Sequence, residues 1–314
     1  MINNNTYRIT VQAISHCDIK PYERVKVTRQ GAEYLDIAYM ERKVFTHVKR
    51  IDKDTYINLK TGRIMRYDRM SAENLKKSKR ASLTRSMREL QRLIRTNFTA
   101  ESPNQLFLTL TYKENMTDPD RLYSDFKIFM KTLRRQYREH ILDYIVVAEP
   151  QGRGAWHMHV MLKSNQPILF VDNKRLETIW GHGFTDAQRL KSSDVGTYYV
   201  AYFTDLLTDC ENLSGAEMSK AKIKGGRLKY YPKGFKFYRC SRGVSRPDLS
   251  EEFMFEISDE TAYEKIYEKA YEIIKEDVTP DADAPERLNR IYRATYRKKR
   301  PKDKGAKCKK NKKP

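Results

Sequence analysis

His157 and His159 flank Met158 in the apolar run 155–162, which reads as a β-strand. Strand residues alternate faces, so both imidazoles point one way with Met161, while Trp156, Met158, Val160 and Leu162 point the other. Two imidazoles on one face can converge on a metal ion, for which neutral histidine is a common ligand. Two packed histidines on a sheet would show the same spacing. Residues 144–149 form a second apolar strand ending in Glu149, and Gln151-Gly152-Arg153-Gly154 is a turn signal. Strands joined by a short glycine-rich loop predict an antiparallel hairpin. With 149 opposite 157, Glu149 shares the face of both histidines.

A second set of reactive groups lies downstream. Asp194 caps a predicted helix over residues 195–207. At about 100° per residue, Val195, Tyr199, Val200, Phe203, Leu206 and Leu207 form one apolar stripe. Tyr198 and Tyr202 fall on its flank, four apart and therefore neighbours. They can be core tyrosines. They can also be nucleophiles, because a phenol attacks phosphorus once its pKa of about 10 is overcome by activation.

The whole-chain balance narrows the partner. The 314 residues carry 62 Lys and Arg against 41 Asp and Glu, a net charge of +21. Such a surplus points to a polyanion, with nucleic acid ahead of an anionic membrane surface. No run approaches the roughly 18 apolar residues of a membrane span, and residues 1–5 lack a signal-peptide core. A cytoplasmic protein with no membrane partner is expected. Cys17, Cys210, Cys240 and Cys308 are scattered without a Cys-x-x-Cys pair, which argues against a zinc knuckle or a disulfide framework.

The elements that must position these groups follow in order. Residues 1–70 look β-rich, with strands near 7–11, 24–27 and 34–39. They form either an accessory region or an extension of the main sheet. A helix over 71–98 has Leu83, Met87, Leu90 and Ile94 on one stripe and many cations elsewhere, among them Arg85, Arg88 and Arg92. That basic face is either a solvated surface or a phosphate contact. Residues 106–112 form a clear strand. Asp118-Pro119 starts a helix with Leu122, Phe126, Phe129, Leu133 and Tyr137 on its apolar face. A short helix near 174–180 and a strand near Phe184 follow.

Residues 225–239 interleave aromatics with Lys229, Lys233, Lys236 and Arg239, a pattern that suits phosphate contacts and base stacking, or a plain edge hairpin. Tyr263, Ile266, Tyr267, Ala270 and Ile273 predict another helix, making residues 249–290 a helical C-terminal segment. Residues 291–314 read as a basic, disordered tail.

Taken together, the Phe107-Leu108-Thr109-Leu110-Thr111-Tyr112 strand, the Glu149 to His157-Met158-His159 hairpin and the Tyr198-Tyr199-Val200-Ala201-Tyr202 helix resemble the rolling-circle replication initiators, the Rep class of HUH endonucleases. The resemblance covers roughly residues 75–245, and Trp180-Gly181-His182-Gly183 and Tyr231-Pro232 look like the phage-type branch. It departs at Ala201 and Asp205, where the Tyr-x-x-x-Tyr motif usually has lysines. The implied fold is α+β: a central antiparallel sheet with helices packed on one face, over residues 71–248, plus the β-rich N-terminal extension. The implied metal ligands are Glu149, His157 and His159, holding Mn²⁺ or Mg²⁺. The implied nucleophiles are Tyr198 and Tyr202, attacking single-stranded origin DNA. Arg153 and the cations named above would bind the nucleic acid.

Without a Gly-x-x-x-x-Gly-Lys-Ser/Thr loop, a separate bacterial host helicase and polymerase are implied. A conjugative relaxase is the alternative with similar chemistry, although its tyrosine commonly precedes the histidines. A non-catalytic DNA-binding regulator or an RNA-binding protein would leave the Glu/His/His set without a task.

Overall fold

Residues 7–42, 47–67, 72–99, 102–190, 230–232, 234–257, 262–277 and 285–299 are described by the computed structural model. The first six strands are β1 (Tyr7–Ile14), β2 (Arg24–Gln30), β3 (Tyr34–Met40), β4 (Val48–Arg50), β5 (Thr55–Asn58) and β6 (Ile64–Arg66). Helix α1 (Ala72–Asn97), β7 (Gln105–Thr111), α2 (Pro119–Gln136), β8 (Leu142–Pro150), β9 (Trp156–Ser164), α3 (Asn173–Trp180) and β10 (Thr185–Gln188) follow. The last strands are β11 (Tyr238–Cys240), β12 (Asp248–Phe253), β13 (Tyr263–Asp277) and β14 (Glu286–Lys298). The result is a mixed α+β chain with mostly antiparallel strands in three sheets, one of them the small sheet β4-β5-β6.

The candidate site rests on the five-stranded sheet, in the order β10-β7-β9-β8-β11. Every neighbouring pair in it is antiparallel. One face carries Leu106, Leu108, Leu110, Val146, Ala148, Met158, Val160 and Leu162. Helix α2 covers that face with Leu122, Phe126, Phe129, Met130 and Leu133, and α3 adds Leu176 and Trp180. Each such side chain taken fully from water contributes roughly 1.5–3 kcal/mol, so the apolar stripe decides which way α2 faces. Its start is set as expected, by Asp118 accepting from the amides of Asp120 and Arg121, with proline at the first helical position.

The opposite face is not bare, which corrects the expectation of helices on one face only. Helix α1 buries Met87, Leu90, Leu93 and Ile94, with Phe98 just past its end, in a second core with Ile145, Val147 and Met161. The cause lies in the strands. The run Tyr144-Ile145-Val146-Val147-Ala148 is apolar at both alternating sets of positions, the pattern of a strand covered on both sides. Helix α1 therefore shares the histidine face and covers its Ile145/Met161 end.

A second compact unit combines residues 1–49 and 58–62 with residues 248–314. Its sheet has six strands, β1-β13-β14-β3-β2-β12. Strands β1, β2 and β3 thus pair with the C-terminal strands and not with the histidine-bearing sheet, while β4, β5 and β6 form the small sheet of their own. Two further expectations are overturned here. The helix predicted from Tyr263, Ile266, Tyr267, Ala270 and Ile273 is β13, paired along its length with β1 and β14. The supposed helical segment 249–290 consequently holds β12, β13 and the start of β14. Likewise, Ile291 to Lys298 of the expected tail belong to β14.

The reason is arithmetic. Residues 263–274 repeat every four, as Tyr-Glu-Lys-Ile, Tyr-Glu-Lys-Ala and Tyr-Glu-Ile-Ile. Four is close to the 3.6 of a helix and is also twice the period of a strand. Long-range pairing decides between the two. No helix among the described residues is long and apolar enough to cross a membrane.

Candidate metal centre

The β8–β9 register sets Glu149 opposite His157 and Val147 opposite His159. The loop between them is closed by Gln151 N donating to the Ala155 carbonyl at 2.7 Å. This is the register the sequence requires for all three side chains to share a face. Glu149, His157 and His159 are all buried, at 5%, 9% and 8% exposure. His157 Nε2 and His159 Nε2 are 3.1 Å apart. Glu149 Oε2 lies 3.4 Å from the first and 3.2 Å from the second. They form a group of three donors that could hold a metal ion.

The triangle fits an ion. Metal–nitrogen and metal–oxygen bonds of about 2.0–2.2 Å imply ligand–ligand separations of roughly 3.0–3.5 Å, which the three distances match. One carboxylate and two imidazoles make a hard, mixed donor set suited to a divalent cation of the Mn²⁺ or Mg²⁺ kind.

The strand across from β9 orients the cluster. On β7, Thr109 is paired with His159 and Thr111 with His157. Thr109 Oγ1 lies 3.3 Å from His159 Nδ1. If Nδ1–H donates to that oxygen, the Nε2 lone pair is directed at Glu149 and His157, which is the tautomer a ligand needs. The Phe107 ring stacks 5.4 Å from the His159 ring, which restricts its rotation. His157 Nδ1 is buried with no hydrogen-bond partner among the described residues, so nothing comparable holds its tautomer.

Alternation along β7 separates Thr109 from Leu108 and Leu110, and only the β7–β9 register places it on the histidine face. Thr109→Val, which is nearly isosteric, is expected to weaken metal binding about 10–100-fold while leaving the fold intact. Calorimetric titration with Mn²⁺ measures it, and an unchanged affinity would remove Thr109 from the site.

Burial alone pushes the Glu149 carboxyl up, but hydrogen bonds and attraction from His157 and His159 outweigh it and hold the group at about 2, below its ordinary 4.5. A carboxyl depressed on folding adds stability above its unfolded value and loses it as pH falls through its folded value. In metal-free protein, Glu149→Gln is therefore expected to lower stability at about pH 6 and to match the parent increasingly closely below about pH 4. Urea unfolding at the two pH values checks this; an equal difference at both would discount the ion pair.

At the end of β7 the 181–184 loop closes on the strand. Thr111 N donates to the Phe184 carbonyl at 3.0 Å, and Lys113 N to the His182 carbonyl at 2.9 Å. A Cβ on Gly183 would meet Lys113 N at 2.5 Å and the Thr111 carbonyl oxygen at 2.7 Å, so only glycine permits this approach. Gly183→Ala is expected to cost about 1–3 kcal/mol in chemical denaturation and, through Thr111, to weaken metal binding. Full stability in the variant would show that the loop can give.

The other sequence-selected residues fall in different places. Arg85 on α1 and Arg153 in the β8–β9 turn are exposed, whereas Arg88 and Arg92 are half-buried and engaged. Lys236 and Arg239 are exposed beside β11, and the Arg239 guanidinium sits 3.5 Å over the Tyr123 ring, a cation–π contact. Tyr231 donates to the Ala148 carbonyl at 3.0 Å, pinning its segment to β8 next to Glu149. Lys229 and Lys233 lie outside the described residues, as do Tyr198, Tyr202 and the predicted helix that carries them.

A buried carboxylate and two imidazoles on adjacent antiparallel strands define a candidate divalent-metal centre on a sheet. The sequence comparison is more specific. Residues 105–207, about a third of the chain, match the family model for the replication-associated proteins of the ORF2 type, the phage rolling-circle replication initiators. This segment is therefore similar to the replication-associated family that the motifs resemble. The match contains the Glu149, His157 and His159 cluster and also spans Tyr198 and Tyr202. No curated protein and no solved structure matches the chain.

Proposed function

We propose that this protein is a rolling-circle replication initiator, a metal-dependent enzyme that nicks and rejoins single-stranded origin DNA through tyrosine. The observation that carries the reading is the buried Glu149, His157 and His159 triangle inside a segment of the replication-associated family. Similarity to that family supports DNA as the partner.

Glu149, His157 and His159 would hold the divalent ion, with Thr109 and Phe107 keeping the His159 ring in place. When bound, the ion supplies Lewis-acid polarisation of the scissile phosphate. The hydroxyl of Tyr198 or Tyr202 attacks that phosphorus. A bond from tyrosine oxygen to phosphorus forms, the bond to the 3′ oxygen breaks, and the proton lost by the phenol is balanced by one gained at the leaving oxygen. The products are a 5′-phosphotyrosyl link and a free 3′-hydroxyl that can prime synthesis. Because one phosphodiester replaces another, reversal by a 3′-hydroxyl restores the strand without ATP. A second tyrosine can take over when a new circle is complete. The exposed Arg85, Arg153, Lys236 and Arg239, together with Lys229 and Lys233, would steer and hold the strand. A separate helicase and polymerase would open and copy the duplex.

The test is covalent trapping. An oligonucleotide from the replicon's own origin, incubated with Mn²⁺ or Mg²⁺, is expected to give a denaturant-stable protein–DNA adduct, and none in the presence of a chelator. Binding without any adduct on every single-stranded origin segment would favour the non-catalytic regulator instead.

A further inference from the structure

The six-stranded sheet has two unlike faces. Residues paired directly across neighbouring strands share a face. Tyr292, paired with Ala270 and Tyr39, marks the face that packs into this unit's own apolar core. The other face carries Lys269, Arg293, Ala38 and Lys26 in one line across four successive strands. Arg293 and Lys26 are exposed, and on the same face Met40 and Leu249 are 42% and 72% exposed. Lines on either side of the cations bring Tyr267 and Tyr271 from β13.

Three cations along one cross-strand line work against the sheet. Lys269 lies directly opposite Arg293, and like charges so placed destabilise the pair. The same geometry serves a polyanion. The line spans three strand spacings, about 14 Å, with an aromatic on each side of Lys269. Cations spaced along a groove and flanked by rings on a sheet are the combination that holds backbone phosphates while stacking unpaired bases. The acids on this face are engaged with their neighbours: Asp36 accepts from Thr295 Oγ1 at 2.8 Å, Glu264 pairs with Arg297, and Glu251 lies opposite Lys26 at the end of the line on β12.

We propose that this face of the six-stranded sheet, through Lys26, Lys269, Arg293, Tyr267 and Tyr271, is a second nucleic-acid surface that takes single-stranded DNA. It goes beyond the nicking reading and does not rest on the metal centre. An unpaired strand lies across the sheet, its phosphates along the cation line and its bases on the tyrosines. A duplex fits poorly, because its bases are already stacked.

The experiment measures binding of the full-length protein to a fluorescent oligo-dT strand and to a duplex of the same length, by anisotropy across a salt series. Lys26→Ala/Lys269→Ala/Arg293→Ala is expected to bind the single strand at least about tenfold more weakly, with a log–log salt slope reduced by about 2 for the three lost phosphate contacts. Tyr267→Ala/Tyr271→Ala is expected to lose a similar factor with the slope unchanged. Since Lys26 and Arg293 are exposed, Lys26→Ala/Arg293→Ala provides a variant that folds regardless, with an expected slope change of about 1.4. Unchanged affinity and slope in a folded variant would overturn the proposal. So would an equal loss for duplex, or dissociation of a self-associated species by the same substitutions, which would make the face a contact between copies. His157→Ala, run alongside, is expected to retain the sheet's contribution. If the protein never nicks but the sheet variants still lose single-strand binding, the nuclease reading fails and this one stands.

Discussion

His157→Ala is expected to abolish metal-dependent cleavage while leaving DNA binding in place. Its imidazole nitrogen is one corner of a triangle with edges of 3.1, 3.2 and 3.4 Å, and the other two corners cannot complete a three-ligand set. Polarisation of the phosphate is worth several kcal/mol. At about 1.4 kcal/mol per decade, the loss should be at least about a thousandfold in rate. A single-turnover assay on labelled single-stranded DNA reads it. Metal affinity should fall in parallel, and the rise in melting temperature that Mn²⁺ gives the parent should disappear. Truncating a nearly buried side chain also leaves a cavity, so thermal melting of the metal-free variant serves as the control. If cleavage and DNA binding fail together in a protein that melts far below the parent, His157 is a packing residue. If cleavage persists at the parent's rate, the cluster is not the centre of the reaction. Glu149→Gln keeps the shape and removes the charge, and it should act in the same direction.

The second large effect is expected at the tyrosines. Tyr→Phe removes one oxygen and keeps the ring, so the effect reports chemistry more than packing. If Tyr198 and Tyr202 share the role, each single substitution should leave some covalent adduct, and Tyr198→Phe/Tyr202→Phe should leave none, at least about a thousandfold below the parent. Denaturing gels of labelled DNA after incubation with Mn²⁺ separate the outcomes. If one single substitution alone removes all adduct on an origin oligonucleotide, that tyrosine is the initiating nucleophile and the other acts later or not at all. Adduct formed by the double variant would place the nucleophile elsewhere. Asp205 stands where the Tyr-x-x-x-Tyr motif usually has a lysine, so Asp205→Lys is a useful companion variant in the same assay.

Local alternation carried most of the candidate centre into view. Period two alone put His157 and His159 on one face, and the turn at residues 151–154 made Glu149 available to them. The strand and helix that support them were also legible, because β7 and α2 have strong, unambiguous periods and α2 has a clear cap. What sequence could not supply was anything set by distant pairing. Thr109 is fixed against His159 only by the β7–β9 register. The covering of the histidine face by α1 was half visible, in a stripe with no stated partner and in strands apolar on both sides. The C-terminal sheet was misread because a four-residue repeat satisfies helix and strand alike. Its pairing with residues near the N-terminus is a contact between chain ends that no local pattern encodes.

The measurement that tests the central claim most directly uses one origin oligonucleotide labelled at either end, with the protein and Mn²⁺. The 3′-labelled strand is predicted to become covalently attached to protein through its new 5′ phosphate. The 5′-labelled fragment should be released with a 3′-hydroxyl that a polymerase can extend. Attachment of the 5′-labelled fragment to protein, or release of both fragments with no adduct at any time, would contradict the account.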